Sequence, residues 1–243
     1  MRGSIIYSIA KRVYNIPVVK FFLKGFVHLY ANHNRKVRNI NLMQNGNRVL
    51  AEYDAAMNEA KIPYVVYAGT LLGTIREHGM LKHDFDIDTA VFIEHDYKKV
   101  RKVLENVGFK LKRWFEVDNS LKGREETYVK DGVDVDVFYI YEDNGQTYNC
   151  DFHPFDDSKD LYESMKVYGK VGTRKCNLPL SKDVIRAPFD DIEVNIPVNA
   201  NEWLEARYGM NYMTPNPNYH DSGKEKNIYE WTDVTAVFKV NEE

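Results

Sequence analysis

The chain reads as an α+β domain, a mixed sheet flanked by helices, with an amphipathic helical arm in front of it. Three observations carry this reading. Residues 64–68, 87–93, 109–117, 127–129 and 133–141 are short runs, β-branched, aromatic or alternating, of strand character. Asp131-Gly132 and Asn144-Gly145 are turn dipeptides of the kind that close hairpins. Stretches with helical periodicity flank the strands, and a hairpin-rich sheet with flanking helices is α+β. No internal repeat or low-complexity tract is visible.

From the N-terminus, residues 4–14 place Ile5, Ile6, Ile9 and Val13 on one helical face, with Ser8, Lys11 and Arg12 opposite. Pro17 suits the first turn of a second helix, in which Lys20, Lys24 and His28 recur at four-residue spacing beside Val19, Phe22, Phe26 and Tyr30. A basic amphipathic helix of this kind fits a membrane interface, and equally a docking face for the body or a second subunit. A further helix is expected over residues 42–61, where Val49, Leu50, Tyr53, Ala56, Met57 and Ala60 repeat at helical spacing before Pro63. Residues 64–68 then form a buried strand that Gly69-Thr70 turns into a helix over 71–77. Strand 87–93 follows, then a helix over 97–106 ended by Gly108. Beyond Asp156 the signals weaken, apart from a helix over 201–208. The organisation expected is an arm, residues 1–40, and one domain, residues 41–243.

With 243 residues, 44% of them apolar, the chain has ample material for a core. Its net charge of −3 conceals an asymmetry: residues 1–38 carry eight Lys or Arg and no Asp or Glu, leaving 25 basic against 36 acidic residues in the remainder. An acidic body argues against a nucleic-acid partner, because such binding neutralises phosphates over a broad basic face. The basic arm points to a different anionic partner, for which an anionic membrane surface is one candidate. Its apolar stretches are broken by Lys11-Arg12, Lys20 and Lys24, too soon to span a bilayer. Cys150 and Cys176 do not make a disulfide framework and no cleavable signal pattern is seen, so the expectation is a cytoplasmic protein, with a peripheral position on the inner face of the membrane open to it.

The chemistry is concentrated in two strands. Asp86 and Asp88 lie in Asp84-Phe85-Asp86-Ile87-Asp88, where alternation sends both to one side with Ile87 between them. Asp136 lies in Val133-Asp134-Val135-Asp136-Val137, another run of acids alternating with apolar residues. Acids in strands so apolar are costly unless exposed, paired or bound to a cation. Asp86, Asp88 and Asp136 are therefore expected as a hard-oxygen divalent site for Mg²⁺, with Mn²⁺ as its near substitute. Asp84 and Asp134, in phase with them, are candidate outer ligands or hydrogen-bond acceptors behind the ligands. Gly69 and Thr70 open a helix N-terminus suited to a phosphate. Arg76 is either a surface residue paired with an acid or a bidentate phosphate clamp. No Gly-x-Ser-x-Gly elbow, Walker loop or Gly-x-Gly-x-x-Gly fingerprint is present, which removes support for hydrolase, P-loop and dinucleotide readings.

These residues resemble the DNA polymerase beta-type nucleotidyltransferase superfamily, and within it the LicD branch, which includes bacterial phosphocholine transferases and fukutin-related proteins. The branch has Gly-Thr-Leu-Leu-Gly-x-x-Arg-x-x-Gly running into Asp-x-Asp-Ile-Asp. This chain reads Gly69-Thr70-Leu71-Leu72-Gly73-Thr74-Ile75-Arg76-Glu77-His78-Gly79 and then Asp84 to Asp88. The branch's later His-Ile-Asp-Ile-Phe aligns its acid with Asp136, and the segments Phe189-Asp190-Asp191-Ile192-Glu193-Val194, Trp203-Leu204 and Tyr208-Gly209-Met210-Asn211-Tyr212 resemble its closing region. Where members often have Pro-Trp before the acids, this chain has Lys82-His83.

The resemblance implies a nucleotidyltransferase-like fold and a Mg²⁺-dependent transferase. It would move a phosphocholine- or polyol-phosphate-like headgroup from a CDP-type donor to a hydroxyl of a cell-surface glycan, with a lipid-linked acceptor allowed. Asp86, Asp88 and Asp136 would be the catalytic acids, Gly69, Thr70, Gly73 and Arg76 would bind substrate, and His220 is a further pocket candidate. Transfer of a nucleotide with release of pyrophosphate would use the same carboxylates, and a nucleotide-binding or membrane scaffold without chemistry is the non-enzymatic alternative. Fukutin-related proteins carry a zinc element, but here Cys150-x-x-His153 with distant Cys176 has no clear fourth ligand and reads as structural.

Overall fold

A computed structural model describes residues 17–94, 96–216 and 227–241. The helix expected over residues 4–14 and the candidate His220 lie outside the described residues.

The first described element is a single helix, α1 (Pro17–Glu59), where the sequence suggested two. Between the two periodic stretches there is no proline or glycine to break the backbone, and the asparagines that weaken helix propensity there act as tethers instead. Asn39 Nδ2 donates to the carbonyls of Lys82 (3.0 Å) and Asp84 (2.6 Å), and Asn41 Nδ2 to that of Gly132 (3.2 Å). The helix runs through Ile40 without interruption and buries Leu42, Val49, Leu50, Tyr53, Ala56 and Met57 against the sheet.

The other elements, in order, are β1 (Val65–Val66), α2 (Ala68–Arg76), β2 (Asp86–Phe92), α3 (Tyr97–Asn106), β3 (Lys110–Val117), β4 (Gly123–Lys130), β5 (Val133–Asp143), β6 (Gln146–His153), α4 (Leu161–Tyr168), β7 (Gly172–Asn177), β8 (Val184–Phe189), β9 (Ile192–Pro197), α5 (Ala200–Tyr208), β10 (Ile228–Glu230) and β11 (Ala236–Val240). The main sheet runs β10-β7-β6-β5-β4-β3-β11, with β2 on the free flank of β5 and β1 beyond it. The β2–β5 pairing is parallel and the other pairings are antiparallel. The sheet curls until its ends meet at a bridge between Val171 and Ala236. Both turn dipeptides sit with positive φ at each residue, Asp131 at 50° and Gly132 at 78°, Asn144 at 51° and Gly145 at 76°. Among the described residues no helix is long and apolar enough to cross a membrane.

Alternation divides β2 and β5 into two faces. Ile87 and Val91 on β2, with Val133, Val135, Val137 and Tyr139 on β5, are buried. Asp86, Asp88, Asp134 and Asp136 occupy the other face. The helix after β1 begins three residues earlier than expected, at Ala68, which takes φ 39° to turn the chain sharply into α2. Gly73, on the buried side of α2, serves packing: a Cβ there would sit on the Gly79 carbonyl oxygen and lie 3.4 Å from Leu81 Cγ. Its own carbonyl accepts from the amides of Glu77 (2.9 Å) and Gly79 (3.4 Å), folding the loop after α2 onto the helix.

Gly73→Ala should therefore force α2 and that loop apart and destabilise the protein by about 1–3 kcal/mol, the usual range for overpacking a closed interior. Urea unfolding of the parent and the variant measures this, and coincident midpoints would show that the loop yields without cost.

Candidate active site

Parallel register brings the candidate acids together. Asp86 pairs with Asp134 and Asp88 with Asp136, so four carboxylates form a square on one face of adjacent strands. Asp84, in the loop before β2, approaches the same place from the side of α2. A Cβ on Gly69 would lie 2.9 Å from Asp84 Oδ2 and 3.3 Å from Asp88 Oδ2, so glycine is what lets both carboxylates reach the first turn of α2.

The four acids of the square all have protein partners. Asp88 Oδ2 accepts the backbone N–H of Gly69 at 3.0 Å, which satisfies one of the free donors at the amino end of α2. Thr70 is buried, and its Oγ1 accepts the amide of Asp88 at 2.9 Å, bracing β2 against α2. Asp136 accepts from Thr127 Oγ1, which in turn accepts from Arg113 Nε at 3.0 Å. Asp86 and Asp134 share Arg38, whose Nη2 stands 3.0 Å from each, and Lys112 Nζ bonds both oxygens of Asp134 at 2.9 and 2.7 Å. A register shift between Leu111 and Arg113 puts one extra residue, Lys112, into β3 and turns it toward this face. In this arrangement no three His, Cys, Asp or Glu side chains among the described residues converge on one metal position.

The electrostatics are those of a crowded acid cluster. Burial, then the Asp136 charge, pushes Asp86 up to about 7, with Arg38 opposing. Burial, then Asp86 and Asp136, holds Asp88 well above the usual carboxylate range. Asp136 is raised by burial against the pull of Arg113, and Asp84 is raised by burial to about 6 against His83 and Arg76. Four carboxyls that resist ionising, presenting only oxygen donors, form a set whose cost a divalent cation would remove. Arg76 lies behind Asp84, with Nη1 donating to the Tyr212 carbonyl (3.4 Å), Nη2 to Glu77 (3.2 Å), and Nε buried without a partner among the described residues.

Arg38, Lys112, Arg113 and Glu125 of this face were not singled out from the sequence. Arg38 was counted with the arm for its charge, although the unbroken helix carries it to Asp86. Glu125 falls two residues before the strand expected at 127–129. Continuing the alternation backwards from Thr127 puts it in phase with the site, and burial together with the Asp136 charge raises it well above the ordinary range. Cys150, His153 and Cys176 do not gather: both thiols are buried and free, burial pushes Cys150 up to about 12, and His153 Nε2 pairs with Glu230 at 2.9 Å.

Residues 61–199 match the family model described as LicD/FKTN/FKRP, nucleotidyltransferase domain. The chain is 24% identical over 226 residues to the human ribitol-5-phosphate transferase FKTN, covering 88% of this chain and 45% of that protein. It is 25% identical over 193 residues to the Macaca fascicularis protein of the same name and 23% over 192 residues to that of Mus musculus, covering 75% of this chain and 38% of each relative. The chain thus spans less than half the length of these curated relatives.

The raised acids set a pH dependence. The folded state holds these protons more tightly than the unfolded chain, so the stability of the cluster is present at about pH 4 and is lost as pH rises through about 7. Acids with lowered values, such as Glu52, Glu116, Asp118 and Glu230, act in the opposite sense only at lower pH. With divalent cations chelated, the melting temperature should fall between pH 5 and 7.5, and Asp86→Asn should flatten that fall. A melting temperature that climbs across this interval in the parent would refute the assignment of the cluster.

Proposed function

From the premise that this chain belongs to the LicD/FKTN/FKRP family, we propose that it is a Mg²⁺-dependent transferase of a phosphorylated headgroup from a CDP-type donor to a glycan hydroxyl. The observation that carries the reading is the in-register square of Asp86, Asp88, Asp134 and Asp136 beside the amino end of α2. The name borne by the relatives, ribitol-5-phosphate transferase, favours a polyol phosphate over phosphocholine as the headgroup.

Asp86, Asp88 and Asp136 would hold Mg²⁺, or Mn²⁺ in its place, since all-oxygen donors of this charge suit hard cations. The bound cation supplies neutralisation of the donor's diphosphate and of its leaving nucleoside monophosphate. Gly69 and Thr70 keep Asp88 aimed at the site through one amide and one hydroxyl. Asp134 holds Lys112 and Arg38 alongside. Arg76 is the candidate donor to a phosphate oxygen, since its guanidinium is largely buried near Asp84 and its long bonds to Tyr212 and Glu77 could be exchanged for a phosphate. Asp136, on the acid face between Asp88 and Thr127, is the group placed to receive the proton of the attacking hydroxyl.

A small cleft lined by Tyr67, Ala68, Phe138, Asn149, Asp151 and Arg207 opens next to α2. At about 40 Å³ it has room for water alone, and its Asp151 and Arg207 are ion-paired at 3.3 Å. On α1, Leu29, Val37, Ile40 and Met43 are exposed and fall within one helical face. With the basic residues of 1–38 they make the arm a candidate for attachment to an anionic membrane near a lipid-linked acceptor.

Asp88→Asn should reduce turnover at least about a thousandfold, as loss of a principal electrostatic group does, while melting at or above the parent's temperature in chelator. Turnover close to the parent's would sink the metal assignment. With CDP-ribitol and Mg²⁺ the expected product is CMP. Consumption of CTP with release of pyrophosphate would favour nucleotide transfer instead. Sedimentation with phosphatidylserine vesicles at low salt, compared with a chain starting at Asn32, tests the arm, and equal binding by both chains would remove it from that role.

A further inference from the structure

Adjacent glutamates on β4 are treated in opposite ways. Glu126 is fully buried and saturated: Arg101, Arg124, Tyr128 and Tyr139 all donate to it. Glu125 points to the other face and has no hydrogen bond or ion pair among the described residues, although it is half-buried. Register places it between Phe115 of β3 and Phe138 of β5, so its diagonal neighbours are Arg113 and Asp136. Arg113 donates Nε to Thr127 at 3.0 Å and its guanidinium lies over the Phe115 ring, 6.0 Å from the ring centre, while its two terminal nitrogens make no hydrogen bond or ion pair among the described residues. The same arginine forms part of the wall of a cavity of about 470 Å³ shared with Lys112, Leu161, Tyr162, Phe238 and Val240. Tyr162 stands edge-on to Phe238, ring centres 5.1 Å apart, and is itself largely exposed.

A partly desolvated carboxylate without a donor is expensive, and Glu126 shows how this sheet satisfies a glutamate with a purely structural task. An unbonded carboxylate and the two unbonded terminal nitrogens of a neighbouring guanidinium offer acceptors and donors in planar forks, the array that neighbouring hydroxyls of a sugar satisfy. Aromatic and aliphatic walls beyond them suit the apolar face of an adjoining ring.

We propose that Glu125 and Arg113 form the acceptor subsite, and that the acceptor is a hydroxyl-rich oligosaccharide whose next residue lies in the cavity beside Tyr162. The inference rests on the transferase reading and adds to it the direction from which the acceptor comes. The glycan crosses β3 and β4 and presents its hydroxyl to Asp136 from the side opposite α2. Glu125 and Arg113 are positioning residues in this scheme, since they touch the acceptor and leave the donor's phosphates alone.

The test uses the full chain with Mg²⁺ and CDP, CDP binding read by calorimetry and acceptor binding on an array of neutral and acidic oligosaccharides. Glu125→Gln and Arg113→Lys should weaken the array signal about tenfold, the scale of an unmatched polar contact in a site. Tyr162→Ala, farther out, should cost about fivefold. Glu125→Gln and Tyr162→Ala should bind CDP within about twofold of the parent, and in transfer assays their loss should fall on the acceptor KM, not on the donor KM. Array binding unchanged in Glu125→Gln and Tyr162→Ala, or a parent that binds CDP and no oligosaccharide, overturns the subsite. A parent that binds neither CDP nor oligosaccharide overturns the transferase reading underneath it.

Discussion

Parallel pairing of β2 with β5 is the constraint around which the molecule is arranged. Sliding one strand by a single residue would turn its acids into the core and its valines into the site, because side chains alternate with period two. The observed register sets Asp86 against Asp134 and Asp88 against Asp136 while Ile87 meets Val135. Burying the apolar face under α1 and α3 therefore also assembles the acid face. The stability of the core and the geometry of the site are one choice of register. The cations that answer the acids come from elsewhere: Arg38 from α1, Lys112 from the irregularity in β3, Arg113 from the regular part of that strand.

Much of this was legible in the sequence where local pattern and tertiary role coincide. The acids of β2 and β5 alternate with Val and Ile, and α3 ends at the residues its periodicity and Gly108 indicate. Legibility failed where long-range partners decide. Residues 31–41 look like a break between helices because asparagine is a poor helix former, yet Asn39 and Asn41 bond loop carbonyls more than forty positions away. Gly73 resembled part of a substrate loop, and its need for a missing side chain became visible only once Gly79 was seen packed on it. Glu125 was hidden because the expected strand began at residue 127, four residues after its actual start at Gly123. After Asp156 no strong alternation marks β7 to β11: β7, β10 and β11 extend the main sheet and β8 pairs with β9 in a separate hairpin, so their core positions are set by partners distant in sequence.

The two faces of β4 also show how one strand can use charge for two purposes. On the helix side, Glu126 with Arg101 and Arg124 is a closed network in which every buried charge is answered, so its removal would strand the partners. On the site side, Glu125, Asp136 and Asp86 remain in mutual repulsion, opposed by Arg113 and Arg38. Local strain accompanies that side as well, at Ala68, whose φ of 39° starts the helix that braces Asp88. Unrelieved charge and strained backbone on one face, and satisfied charge on the other, are the separation expected between a working surface and a scaffold.

The closure of the sheet has a consequence for synthesis. β11 covers the outer side of β3, joining Phe238 to Phe115, and Ala236 bridges Val171. These pairings use some of the last residues of the described chain, so β3, β4 and β5 emerge from the ribosome and can pair while one hydrogen-bonding edge of β3 is still bare. Contacts across so many residues form late, since their loop entropy must be overcome first. Until then the bare edge is able to recruit a strand from another nascent chain. β11, the last of the sheet's described strands to emerge, thus acts as a seal whose five residues close this edge of β3 after the interval when it is most exposed to misassembly.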